Sequence, residues 1–188
     1  MWAKVESNSV TKIYTRPTAL TIGDVNYPSN IMSIWSASEL EAIGIYAITV
    51  DSTNLKDERY YQNTDVTYTY NSGAVTGAYG TATAKSLTNV LYTAQNESDG
   101  IGTEGDVKIL GLKTTHKESI NSQANVLLQK YDWYTLRAAD GGTAVPSAVT
   151  TYKAAVRTKA NTHCTSIDAA ANVDALAALT FDWPDEPS

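Results

Sequence analysis

The chain has 188 residues, 43% of them hydrophobic and only 18% charged, with a net charge of −6 and a pI of about 4.8. That length suits one domain or two small modules. The acidic balance, with no basic stripe, argues against nucleic acid or an anionic membrane as a partner, and the single cysteine, Cys164, excludes an internal disulfide or a cysteine-based zinc site.

The amino half reads as β. Residues 2–6 and 10–15 flank Ser7-Asn8-Ser9, a hairpin turn signal. Arg16-Pro17 ends the second strand, residues 19–22 form a third, and Tyr27-Pro28-Ser29-Asn30 is a loop signature. Ser36-Ala37-Ser38-Glu39 is a capping box that predicts a short helix over 37–43, with Gly44 just past its end. Residues 45–50 read as a buried strand and 54–63 as a charged connection. Residues 66–70 and 74–79 alternate around Asn71-Ser72-Gly73, a second hairpin signal. Residues 80–94 give only a weak pattern, irregular or a short helix. The polar, glycine-rich residues 96–106 read as a linker.

The carboxy half reads as helical. Ile109, Leu112, His116, Ile120, Ala124, Leu127, Tyr131 and Tyr134 step by three or four, which predicts one long helix over 107–139. Gly141-Gly142 stops it, and Pro146 suits the first turn of the next helix. Val145, Val149, Tyr152, Val156, Ala160 and His163 repeat the spacing, and a last short helix is expected over about 168–179 from Ser166. Residues 181–188 are predicted to be irregular, with Phe181 and Trp183 available to pin them to a neighbour. The fold class is therefore α+β: a β-rich module with a short helix over 1–95, a linker over 96–106, and a helical hairpin with an irregular tail over 107–188.

Candidate chemistry is sparse. Gly100-Ile101-Gly102-Thr103-Glu104-Gly105 matches a dinucleotide fingerprint, but that motif needs a strand before it and a helix N-terminus after it. A polar stretch precedes it here, so the linker reading is favoured. His116 and His163 fall in the apolar stripes of their helices with Cys164 beside one of them, which reads as packing. Asp57, Glu58 and Asp65 near Tyr60 and Tyr61 are the carboxylates that a glycan hydrolase would need in a cleft. No catalytic residue, cofactor or metal ligand is expected. The 12 tyrosines against one phenylalanine suit half-exposed sheets or interfaces. The longest apolar run, 42–50, is too short to span a bilayer, and residues 1–6 hold no apolar core of signal-peptide length.

One resemblance adds to this. Asp132-Trp133, Arg137, Gly141-Gly142, Val145-Pro146, Val149, Tyr152-Lys153 and Val156-Arg157 lie within residues 127–157, and Trp183-Pro184 comes later. Together they resemble a family of small tailed-bacteriophage proteins, the tail-fibre-associated and tail-assembly-chaperone-like proteins encoded near fibre genes. Tyr27-Pro28, Trp35, Ser36, Glu39-Leu40 and the turn at Gly44 are similar to the same group more loosely. The chain departs at Lys153, where arginine is more usual, and in its long Ser/Thr/Asn-rich middle.

The resemblance implies a structural protein of the virion tail or tail-fibre apparatus, made in the host cytoplasm. It would dock other tail or fibre proteins and form a homo-oligomer. A fibre-assembly chaperone is the alternative within the family, and a small glycan-acting hydrolase the alternative outside it. The candidate partner-binding residues are Trp133, Tyr134, Arg137, Tyr152 and Trp183. Trp133 falls off the main helical stripe, so it either packs on the β half or docks a partner. Asp132 and Arg137, five apart, miss the spacing of a helical ion pair, and Arg137 is better placed for the last carbonyls of its helix.

Overall fold

The computed structural model describes residues 1–187. The chain divides into two compact units between Thr83 and Ala84. Strands dominate the first and helices the second, an α+β protein with a β-rich amino-terminal region.

In the first unit β1 (Trp2–Glu6) and β2 (Ser9–Tyr14) pair antiparallel, Trp2 opposite Tyr14. Ser7 and Asn8 both take positive φ, 49° and 61°, the two left-handed positions of a type I′ turn, whose twist matches that of the strands. Then β3 (Leu20–Ile22) and β4 (Val25–Tyr27) form a separate small hairpin. Helix α1 (Ile31–Ile34) follows, and then α2 (Ala37–Ala42). The capping box of α2 forms as expected: the Glu39 N–H donates to Ser36 Oγ at 3.4 Å, and the Ser36 N–H donates to Glu39 Oε2 at 2.7 Å. Gly44 turns the chain at φ 77°, and its carbonyl accepts from the Val5 N–H at 2.8 Å.

That turn delivers β5 (Ile45–Asp51) to the middle of a five-stranded sheet. The short β6 (Tyr61–Gln62) precedes a hairpin of β7 (Val66–Asn71) and β8 (Ala74–Tyr79), turned by Ser72 and Gly73 at φ 50° and 84°. The sheet order is β2-β1-β5-β8-β7, with β5 and β8 parallel. A buried strand was expected over 45–50, yet only Ile45 is completely enclosed, and Thr49 and Val50 are exposed. The core explains this. Tyr14, Leu20, Ile31, Met32, Leu40 and Ile45 pack together with Trp2, Ile22, Tyr27, Trp35 and Ile43, so the helices cover only the first residues of β5. Further along, the rings of Tyr46 and Tyr70 meet edge-on at 5.0 Å, with their hydroxyls 3.3 Å apart.

The division between units lies earlier than the expected linker, within the two-residue strand β9 (Thr83–Ala84). Residues 96–106 are folded. Strand β10 (Val90–Leu91) leads into α3 (Ala94–Ser98), which Thr93 caps through Asn96, and β11 (Val107–Ile109) returns to pair with β10. The closing turn is held by the Tyr92 N–H on the Asp106 carbonyl at 2.9 Å and the Gly105 N–H on the Tyr92 carbonyl at 3.0 Å. Backbone ladders of this kind leave no slack chain, despite the linker-like composition.

The long helix expected over 107–139 is three elements: β11, then α4 (Leu112–Gln129), then α5 (Asp132–Ala139). Two contacts interrupt it. Gly111 is pressed against the backbone of Thr88 and Asn89, and its N–H donates to Asn89 Oδ1 at 2.8 Å. At the other break Tyr131 sits at φ −116°, ψ 5°, and its ring packs edge-on to Tyr152 at 5.2 Å. After the Gly141-Gly142 stop, α6 (Ser147–Ala169) returns along α4, with Val149, Tyr152, Val156, Ala160, His163 and Ile167 of α6 and Ile120 and Ala124 of α4 buried. Pro146 stands at the N-cap rather than in the first turn. The last short helix expected over about 168–179 forms, but it starts later than Ser166, which lies inside α6. Ser166 Oγ donates back to the Thr162 carbonyl at 3.1 Å, so the hydroxyl is spent inside the helix. Asn172 provides the actual cap for α7 (Val173–Ala177), accepting from the Ala175 N–H at 2.8 Å.

Candidate partner-docking site on the helical hairpin

Helix α5 begins with Asp132, and its first turn is fixed from outside. Lys153 of α6, only 8% exposed, donates to Asp132 Oδ1 at 2.7 Å. Its amine also reaches Thr135 Oγ1 at 3.5 Å. An amine buried this far needs a counter-charge, and Asp132 supplies it while remaining half-exposed. The negative carboxylate also complements the N-terminus of α5. Lys153 can reach because α6 passes beneath α5 with Tyr152 and Lys153 on its buried side.

With its start anchored, α5 presents Trp133, Leu136 and Arg137 on one side, at i, i+3 and i+4. Trp133 is 49% exposed and Leu136 66% exposed. The Arg137 guanidinium carbon lies 4.9 Å from the Trp133 ring centroid and 5.2 Å from that of Tyr134. The Trp133 and Tyr134 rings are 3.8 Å apart, and Tyr134 stacks on Tyr131 at 6.4 Å. A cation held over two rings favours both partners through the ring quadrupole, and it fixes the pose of a long side chain. Arg137 Nε is buried without a hydrogen-bond partner. Its Nε therefore makes no bond to the last carbonyls, the partners its position in the sequence suggested, and the guanidinium packs over the two rings. Instead the Arg137 carbonyl accepts the Gly142 N–H at 2.9 Å. A Cβ on Gly142 would stand 2.8 Å from that oxygen, so this close return of the chain needs glycine.

The five candidate residues are thus not one patch. Trp133, Tyr134 and Arg137 come together on α5. Tyr152 is buried at 4% exposure, with its hydroxyl unpartnered, and its ring supports Tyr131 from beneath. Trp183 is engaged within its own chain. Its Nε1–H donates to Gln123 Oε1 at 3.1 Å, and its ring meets His163 edge-on at 5.4 Å. His163 completes that seat by donating from Nε2 to the Asp182 carbonyl at 2.8 Å, and Phe181 packs on it at 5.1 Å. Sequence reasoning missed Leu136, although its i+3 spacing from Trp133 was visible. It also missed the Lys153–Asp132 pair, which joins residues distant in the chain.

The other motifs have structural roles. The glycine run at 100–105 follows α3 and precedes β11, the reverse of the strand-then-helix order that a dinucleotide needs. Gly102 lies under the Tyr92 ring, where a Cβ would come within 2.8 Å. Asp57 forms a two-pronged pair with the Arg59 guanidinium, at 2.9 and 2.6 Å from Oδ2, and that pairing raises the arginine's proton affinity. The Cys164 thiol faces Asn121 Oδ1 at 4.0 Å. Among the described residues no helix is long and apolar enough to cross a membrane. No protein-family model, curated protein or solved structure matches the chain.

Proposed function

We propose that this protein is a structural component of a bacteriophage tail or tail-fibre apparatus and acts by docking and self-association rather than by turning over a substrate. The observation that carries the docking part is the α5 surface. Trp133 and Leu136 stand exposed on a helix whose first turn is locked by a buried lysine, with Arg137 fixed over the rings. Aromatic residues and arginine are enriched where proteins bind one another, and rigid anchors lose little entropy on binding. The phage context rests on the sequence resemblance of residues 127–157, which spans this same surface.

In this reading α4 and α6 form the rigid support and α5 the contact element. The Lys153–Asp132 pair sets the angle at which the aromatic face is offered. The tyrosine- and threonine-rich strands of the first unit would supply a second contact surface, suited to wet, polar interfaces.

Quantitative mass spectrometry of purified particles tests the proposal. A virion component is recovered at a fixed copy number relative to the major tail proteins. Absence from particles, together with co-purification with immature fibres, would instead mark an assembly chaperone. Absence from both would end the phage reading.

A further inference from the structure

Residues 181–187 follow α7 without regular structure and run back through the groove between α4 and α6. Asp182 pairs with Lys159 at 2.6 Å, and Trp183 is received by Gln123 and His163. About two helical turns further on, just past the end of α4, Glu186 pairs with Lys130 and accepts from the Tyr131 hydroxyl at 3.2 Å. The segment thus travels antiparallel to α6, with a lysine clamp for an acidic residue at each end. Pro184 and Pro187 are spaced as in extended proline-containing ligands, which bind with little loss of entropy.

The seat is specific in chemistry but loosely filled. An open groove of about 490 Å³ remains between Pro184, Pro187 and the α6 residues Ser147, Thr151 and Ala155. The Tyr152 hydroxyl beneath it is buried with no partner. Both clamps are ion pairs between half-exposed groups, a kind that holds a segment weakly.

We infer that the α4–α6 groove is a docking site for residues 181–187 of a second copy of this chain, and that neighbouring copies exchange these segments when crowded together. Each copy carries both the acidic Trp-Pro segment and the lysine-flanked groove, so every contact made within one chain is available between two. Exchange of an identical element is a low-cost route to self-association because it satisfies the same contacts. The intrachain seat wins at low concentration through its high effective concentration, and the interchain seat gains as local concentration rises. Exchange does not depend on the particle to which the protein belongs. A failure of the virion test leaves it standing, and its own failure leaves the α5 surface untouched.

A carbodiimide joins paired amines and carboxylates without adding a spacer, so it reads out the Lys130–Glu186 clamp in the unmodified full-length protein. Equal amounts of ¹⁴N- and ¹⁵N-labelled protein are mixed at high concentration, cross-linked, digested and weighed. Exchange gives Lys130–Glu186 peptides of mixed isotope approaching the statistical share, and Trp183→Ala removes them. Lys130–Glu186 peptides of single isotope only would overturn the inference. So would mixed peptides that survive Trp183→Ala, since random collision would then explain them.

Discussion

Lys153 and Asp132 stand 21 residues apart in the chain and 2.7 Å apart in space, and their contact anchors α5 on α6. The two partners are unequal: the lysine side chain is 11% exposed and the aspartate side chain 54%. Removing the aspartate strands a buried amine, whereas removing the lysine leaves a carboxylate that water can solvate. Asp132→Asn is therefore expected to destabilise the second unit by about 1–3 kcal/mol, and Lys153→Met by clearly less. Urea denaturation of both variants checks the order, and a larger loss in Lys153→Met would contradict it.

Gly111 gives a second, sharper expectation. A Cβ there would lie 2.3 Å from the Thr88 carbonyl carbon and 2.5 Å from its oxygen. Both are backbone atoms, which cannot swing aside. Gly111→Ala should cost about 3 kcal/mol by overpacking and raise hydrogen exchange across 86–91 and the first turn of α4. Gly105, where nothing lies within 4 Å, tests the other cause of glycine dependence. Its φ of 87° strains any substitution without a clash, so Gly105→Ala should cost less, about 1 kcal/mol.

These two positions mark what the sequence could reveal and what it could not. Turn and cap chemistry is local, so Ser7-Asn8, Ser36 with Glu39, and Ser72-Gly73 were readable directly. So were the helical stripes of α4 and α6, because burial repeats with the helix period. The breaks were not. Ile109 and Tyr134 fit the same stripe as Ile120, yet Gly111 and Tyr131 interrupt it for reasons supplied by Thr88 and Tyr152, far away in sequence. The candidate site divides along the same line. Trp133, Tyr134 and Arg137 are neighbours on one short helix, so their proximity was readable from spacing. Tyr152 was readable as part of the α6 stripe and Trp183 as a pin for the tail, but what receives them, Tyr131 for one and Gln123 with His163 for the other, depends on how separate elements pack.

Acid should release residues 181–187 before it unfolds the helices. The hydrogen bond from Lys130 holds the Glu186 carboxyl below its ordinary value of 4.5, and that from Lys159 holds Asp182 below 3.8. A depressed carboxylate contributes its stabilisation above the ordinary value and loses it as pH falls through the lowered one. Docking should therefore persist at neutral pH and weaken from about pH 4.5 downwards. Lys130, raised above 10.5 chiefly by its hydrogen bond with Glu186, works in the opposite sense and loses its contribution only in strong alkali. The difference in tryptophan emission between the protein and Trp183→Phe follows the release. Glu186→Gln should remove the Glu186 share of its acid dependence and leave that of Asp182, while the helical circular dichroism stays unchanged.

The last expectation separates docking from folding on α5. Leu136 is 66% exposed, so Leu136→Ser should change stability by no more than about 0.5 kcal/mol. Trp133→Ala should cost more, since the ring supports Arg137 at 4.9 Å and stacks on Tyr134 at 3.8 Å. If α5 is a contact element, both variants lose incorporation into particles, and only the tryptophan variant loses stability. Arg137→Lys adds a third reading. A lysine keeps the charge but lacks the planar group that lies over two rings, so it should weaken incorporation less than Trp133→Ala and leave the melting temperature nearly unchanged. Full incorporation of Leu136→Ser and Trp133→Ala, at normal copy number, would show that the exposed face of α5 is not where the partner binds.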